Sequence, residues 1–317
     1  MTQIGIESFA NCKELKTVKF EKDSELRSID ERAFSKSSIE KLHLPEKVDD
    51  LRDGWCCDVS NLTQISISPK NNHYSFINDS MIIGKTGENY DVLHFVRRDT
   101  DQIIIPSFIK HINSYACQNC SFLKKNGIKF DENSELISFG KFSFSNSSVE
   151  TINIPKKVVQ IEESAFSNCS NLLCVRFLEG LGHVSINKNA FFNSSIKKIC
   201  FSSNVDDLQK NWCSKTPYLT SIEIPVENEH FVYNDNSMLL GKIEKSSQIF
   251  DILHFVRRDI CDAVVPSYIK HINSSAFSDT HNLISVNFSD DSELCIIDDY
   301  CFTQSSIENI LIPKKVT

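Results

Sequence analysis

INIPKKVVQIEESAFSNCSNLLCVRF, Ile152–Phe177, holds a full period of a repeating unit. Its ends, Ile152-Asn-Ile154 and Val175-Arg-Phe177, alternate apolar and polar residues, the period-two pattern of a short strand with one side turned inward. Pro155 follows the first end; having no amide donor, proline suits the point where a ladder stops. Val158, Ile161 and Ala165-Phe166 supply further apolar positions between the two strands.

Outward from this stretch the same unit recurs. SSIEKLHLPEKV from Ser37, SSVETINIPKKV from Ser147, SSIKKICFSSNV from Ser194 and SSIENILIPKKV from Ser305 align without gaps. Twelve copies of the strand signature have inward pairs at Val18/Phe20, Leu42/Leu44, Ile65/Ile67, Ile103/Ile105, Ile128/Phe130 and Ile152/Ile154. They continue at Val175/Phe177, Ile199/Phe201, Ile222/Ile224, Ala263/Val265, Val286/Phe288 and Ile310/Ile312. The uninterrupted period of about 21–27 residues is inside or close to the leucine-rich-repeat range. One coil cannot hide its own apolar side, so the pattern predicts a solenoid of about twelve stacked coils with a parallel β-sheet on its concave face. The recurrent Phe positions, among 22 Phe in the chain, are expected to stack as a ladder.

A longer period is superimposed. LHFVRRD occurs at Leu93–Asp99 and Leu253–Asp259, IKHINS at Ile109–Ser114 and Ile269–Ser274, and VDD-L-x-x-x-W at Val48–Trp55 and Val205–Trp212. The chain therefore reads as one continuous solenoid, 1–317, made of two super-repeats, about 1–157 and 158–317. Each super-repeat carries two β-like runs around a polar linker, at about 70–100 and 227–260. These predict hairpins projecting from the coils.

A net charge of −8 argues against nucleic acid as a partner, since phosphate binding needs a basic face. No apolar run approaches the roughly 20 residues of a membrane span. Met1–Phe9 lacks the basic start and apolar stretch of a signal peptide. Both termini fall inside a repeat, so a fragment of a longer protein is expected.

The Ala-Phe-x-x-Cys-x-x-Leu-x-x-Ile-x-Ile-Pro-x-x-Val-x-x-Ile unit closely resembles the BspA-like leucine-rich repeats. The insertion IIGK…YDVLHFVRRD…IIIPSFIKHI looks like the hairpin of the trichomonad surface-antigen branch. The resemblance implies a cell-surface or secreted adhesion protein that binds extracellular matrix or proteins of host or other cells. An intracellular scaffold of the same fold is the alternative.

No motif supports an enzyme or a cofactor. Gly84-Lys85-Thr86 lacks the leading glycine of a phosphate loop, since Asp79 stands there, and a hairpin turn accounts for it. His94–Asp99 and His254–Asp259 lack the companions of a kinase catalytic loop. Cys117-Gln-Asn-Cys120 becomes Phe277-Ser-Asp-Thr280 in the second copy, so a ladder of small buried thiols, shared with Cys12 and Cys169, is expected rather than zinc. Eight Asn-x-Ser/Thr sequons (at 61, 78, 119, 146, 168, 193, 273 and 287) include several, such as Asn168, that belong to the repeat framework. A protein-binding surface is expected on the outward strand positions, at Lys19, Lys41, His43, Gln64, Asn153, Arg176, Lys198, Glu223 and Asn287. Arg97, Arg98, Arg257 and Arg258, on the predicted hairpins, are expected to project toward an acidic partner.

Overall fold

Strand forms at each of the twelve places where the alternation predicts it. The structure, a computed structural model, describes residues 2–123 and 127–317. It divides into two units, Met1–Glu150 with Ile161–Ser170, and Thr151–Gln160 with Asn171–Thr317. The first unit runs β1 (Gln3–Ile4), β2 (Thr17–Val18), β3 (Ser28–Ile29), β4 (Lys41–Leu44), β5 (Asp50–Leu51), β6 (Gln64–Ile67), β7 (Tyr74–Ile77), β8 (Met81–Thr86), β9 (Asn89–Val96), β10 (Ile103–Ile105), β11 (His111–Ile112), β12 (Ile128–Phe130) and β13 (Ser138–Phe139). There follow β14 (Thr151–Ile154), β15 (Gln160–Ile161), β16 (Cys174–Phe177), β17 (Val184–Ile186), β18 (Lys198–Cys200), β19 (Val205–Leu208), β20 (Ser221–Glu223), β21 (Phe231–Asn234), β22 (Met238–Gly241), β23 (Ile252–Val256), β24 (Asp262–Val265), β25 (His271–Ile272), β26 (Ser285–Phe288), β27 (Ile296–Ile297) and β28 (Asn309–Ile310).

Each unit is a β-solenoid. The predicted strands pair in parallel and in register, so that Leu42 faces Ile65, Ile152 faces Val175 and Ile199 faces Ile222. In β4 the burial alternates strictly, with Leu42 and Leu44 inside and Lys41 and His43 outside. The uninterrupted twelve-stranded sheet expected from the repeat is segmented instead. Its pieces are β2-β4-β6 and β10-β12 in the first unit, and β14-β16-β18-β20 and β24-β26-β28 in the second. The breaks after β6 and β20 fall where the insertions enter, because the chain leaves the coil there before the next parallel strand can add.

A second strand per coil has no alternation to announce it. The Val-x-x-Ile stretch supplies short pairs such as β1-β3-β5, β11-β13 and β25-β27. Between these two strands each coil turns through paired left-handed residues four apart, for example Arg32 and Lys36, Ser164 and Asn168, or Asn189 and Asn193. Asn tolerates this backbone better than most residues. That conformation accounts for Asn119, Asn146, Asn168 and Asn193 without any appeal to glycosylation.

The insertions are antiparallel hairpins, but their strands are built into the coils instead of projecting from them. β7, β8 and β9 form an antiparallel group, and β9 joins β11 in parallel through Val92–His111 and Leu93–Ile112. β21, β22, β23 and β25 repeat the arrangement. Met81, Ile82, Leu93, Phe95 and Val96 are buried, so this segment extends the core. Its anchor is aromatic: Phe95 lies 6.0 Å from Trp55, and Phe255 lies 6.4 Å from Trp212. The Phe ladder exists in pieces, with Phe9 stacked on Phe34 at 5.3 Å and Phe144 on Phe166 at 5.4 Å. Trp55 interrupts it by meeting Phe34 edge-on at 84°.

Gly84 sits inside β8 rather than at a turn, which corrects the hairpin-turn expectation. A methyl group added to it would lie 2.5 Å from His94 Nε2 and 2.8 Å from Tyr74 Cε1. Gly241 meets His254 and Phe231 in the same way. Both rings are packed, so neither can yield cheaply. Gly84→Ala or Gly241→Ala is expected to destabilise the chain by about 1–3 kcal/mol. A lowered urea midpoint would show it, and a midpoint like the parent's would refute this account.

Candidate binding face and its surroundings

The parallel strands bury one row of side chains and leave the other in water, and this sorts the expected recognition residues. In the first unit Lys41 and Gln64 are ladder partners on β4 and β6, with His43 and Ser66 the next pair. His43 Nδ1 and Ser66 Oγ are 2.9 Å apart. Lys19 is exposed just past β2. In the second unit Asn153, Arg176, Cys200 and Glu223 make one row across β14, β16, β18 and β20, in which Cys200 alone is covered, donating to Glu223 Oε2 at 3.1 Å. Lys198 lies in the neighbouring row and ion-pairs with Glu223. Asn287, on β26, belongs to a separate sheet beside Val264.

Two apolar residues on this face were not anticipated. Ile104 and Val264 are 53% and 68% exposed on β10 and β24. They occupy matching places in the two super-repeats, and Phe108 and Tyr268 are exposed four residues after each. The runs Ile103-Ile104-Ile105 and Ala263-Val264-Val265 conceal them, because an unbroken apolar run hides which residue faces out. The signal was there, since an apolar residue held an outward slot in both copies.

The four arginines separate into two kinds. Arg98 and Arg258 are fully buried, which corrects the expectation that they project. Arg98 donates to the carbonyls of Ala116 (2.9 Å), Tyr115 and Val59 (both 3.3 Å), and its guanidinium lies 4.4 Å from the Phe95 ring centre. Arg258 repeats this on Ala276, Ser275 and Phe255. Arg97 and Arg257 keep about a third of their side chains in water and are held by Asp99 and Asp259.

A cavity of about 460 Å³ in the first unit is lined by Asp53, Lys85, His94, His111, Ser114 and Glu162 among others. His111 Nδ1 is 2.9 Å from Ser138 Oγ there. In the second unit the ladder partner of His271 is Ile296, so Ser138 has no counterpart. Burial pushes His94 down to about 4, which leaves its ring neutral.

All twelve cysteines are unbridged, and eight are buried. Cys117 and Cys120 are both inside, so their spacing reflects packing. Burial pushes the Cys56, Cys169 and Cys213 thiols up to about 12, and raises Cys117 well above its ordinary value. A raised thiol pKa keeps the sulfur protonated near neutral pH and therefore unreactive. A thiol reagent is expected to label exposed Cys261 and Cys295 quickly and half-exposed Cys12 and Cys174 more slowly, the other eight reacting only on unfolding. Fast labelling of Cys117 or Cys169 in the native protein would contradict this. The described residues bring together one further set of possible metal ligands, His183, Asp206 and His230, which sequence reading missed.

Among the described residues no helix is long and apolar enough to cross a membrane. The BspA type leucine-rich repeat region matches the chain in six copies, over residues 1–86, 94–220 and 253–317. A search of curated proteins finds no match. A leucine-rich cell surface protein of Faecalibacterium prausnitzii is similar in structure, with TM-score 0.61 and 22% identity over 70% of this chain and 57% of that one. The pneumococcal vaccine antigen PcpA gives 0.56 and 23% over 68% and 51%. A leucine-rich-repeat protein of Eubacterium ventriosum gives 0.57 and 19% over 91% and 64%. The chain spans between half and two-thirds of the length of these structures, and at such identities the likeness is one of fold. By the repeats that match along most of its length, the chain belongs to the BspA-type leucine-rich-repeat family.

Proposed function

We propose that this chain is a non-catalytic protein-binding module working at a cell surface, where its outward strand face engages matrix proteins or proteins of other cells. One observation carries the reading. The inward strand positions repeat the same apolar types, whereas the outward ones are exposed and differ from coil to coil. Lys41, His43 and Gln64, together with Asn153, Arg176, Lys198 and Glu223, offer charge and hydrogen bonds there. Ile104 and Val264 add apolar anchors of the kind that binding faces use. The fold likeness to proteins described as a surface protein and a vaccine antigen is consistent with that setting. Arg97 and Arg257 meet an acidic partner only by releasing Asp99 and Asp259, which makes them secondary.

An intracellular scaffold is the second reading, favoured by twelve unbridged cysteines, since reducing compartments preserve thiols. A binding screen of the folded chain against immobilised matrix, cell-surface and cytosolic proteins separates the two. For a partner so found, Lys41→Ala with His43→Ala, or Arg176→Ala with its ladder partner Asn153→Ala, is expected to weaken binding about tenfold or more at unchanged melting temperature. Affinity untouched by both pairs would remove the strand face from consideration. Partners found only among cytosolic proteins would select the scaffold.

A further inference from the structure

Three side chains that can ligate metal arrive at one place in the second unit from successive coils. His183 immediately precedes β17, Asp206 lies in β19, and His230 immediately precedes β21. Their donor atoms lie within 4.8 Å of one another, and His183 Nδ1 is 3.1 Å from Asp206 Oδ2. We propose that His183, Asp206 and His230 together bind one divalent transition-metal ion of the imidazole-preferring class: zinc, copper(II) or nickel(II).

The spacing suits such an ion. Metal–nitrogen bonds of about 2.0–2.1 Å in a tetrahedron put neighbouring donors roughly 3.3 Å apart. His183 and Asp206 already stand near that separation, at 3.1 Å, and the exposed His183 ring has room to turn. The other two ligands are better fixed. The Asp206 side chain is largely covered and sits on a strand whose ladder sets Val184 opposite Val205. The backbone N–H of His230 donates to Asn228 Oδ1 at 2.9 Å. Asp206 already attracts cationic groups, since Lys245 Nζ reaches it at 3.0 Å. Lys245 comes from the exposed connection between β22 and β23, so an arriving divalent ion displaces a solvated ammonium rather than a buried contact.

The first super-repeat serves as an internal control. Asp49 and His73 match Asp206 and His230 at an offset of 157 residues. There, however, Arg27 holds the carboxylate at 3.0 Å. A guanidinium has no lone pair to offer a metal. The site therefore arises in the second copy alone. With His183 83% exposed, it lies open to water and keeps free coordination positions, as suits ion capture.

Calorimetric titration of the folded chain with nickel or zinc ion alone tests this. Exposed thiols are capped first with iodoacetamide, so that Cys261 and Cys295 cannot compete. About one equivalent per chain is expected, and cobalt(II) should give a visible spectrum without a thiolate charge-transfer band. His183→Gln and His230→Gln should each weaken binding by at least about tenfold. His183→Arg, which sets a guanidinium beside Asp206 much as Arg27 stands beside Asp49, should abolish it while melting like the parent. No saturable binding by the parent, a thiolate band, or affinity that survives the double variant His183→Gln/His230→Gln would overturn the assignment.

Discussion

Lowering the pH from about 6.5 to about 4 is expected to remove on the order of 5 kcal/mol of stability through two histidines alone. His94 and His254 lie under matching rings. His94 meets Tyr74 edge-on at 5.1 Å, and His254 meets Phe231 at 5.3 Å. Asn113 and Asn273 sit 3.2 and 3.0 Å from their Nδ1 atoms, and Gly84 and Gly241 leave room beside the other nitrogen. Burial pushes both rings from 6.5 down to about 4, with nearby His271 adding to the effect on His254. The sign follows from proton uptake. Above 6.5 neither state binds the proton and nothing is lost. Below it the unfolded chain takes up protons that the folded one refuses, so folding weakens by about 1.4 kcal/mol per pH unit per ring until 4. Urea midpoints across this range check the slope. His94→Phe with His254→Phe keeps ring packing without the titration and should flatten it. A midpoint insensitive to acid above pH 4 would refute the burial argument.

Those two histidines also show how far the residues could be read without coordinates. Period-two alternation, ended directly by proline in six copies, located the twelve strands, because Leu42/Leu44 or Ile152/Ile154 leave no other side to bury. The second strand in each coil was invisible: two residues such as Ser28–Ile29 or His111–Ile112 have no period to detect. The insertions looked like projecting hairpins because two β-like runs flank a polar linker. Their burial is set by partners far along the chain, such as Trp55 beneath Phe95. Strand polarity made Lys41, Gln64, Arg176 and Glu223 legible as an outward face. It concealed Ile104 and Val264, whose neighbours are equally apolar. His183, Asp206 and His230 are 23 and 24 residues apart, one coil each, so a search for ligands at the repeat period would have met them.

Replacing Arg98 or Arg258 by alanine is expected to cost about 2–5 kcal/mol each, far beyond what a binding residue on a solvated edge would show. The guanidinium of Arg98 carries hydrogen bonds to three carbonyls from two separate stretches, Val59 on one and Tyr115 and Ala116 on the other. Removing it takes a donor from each buried oxygen, although Ala116 and Tyr115 still accept from the amides of Val96 and Gln118, and it opens a cavity beside Phe95 and Cys120. Relief from burying a charge offsets part of this loss, which is why the range is wide. For Arg258, burial lowers the pKa, and nearby Cys213 and Asp279 pull it back. Lysine should not rescue either position, because a single ammonium cannot fork toward carbonyls at different angles. Arg97→Ala, two bonds from its own Asp99 at the surface, should cost no more than about 1 kcal/mol. Urea midpoints for Arg98→Ala, Arg98→Lys and Arg97→Ala decide the matter. If Arg98→Ala unfolds with the parent while losing affinity for an acidic ligand, the arginine is a recognition residue and its buried role is wrong.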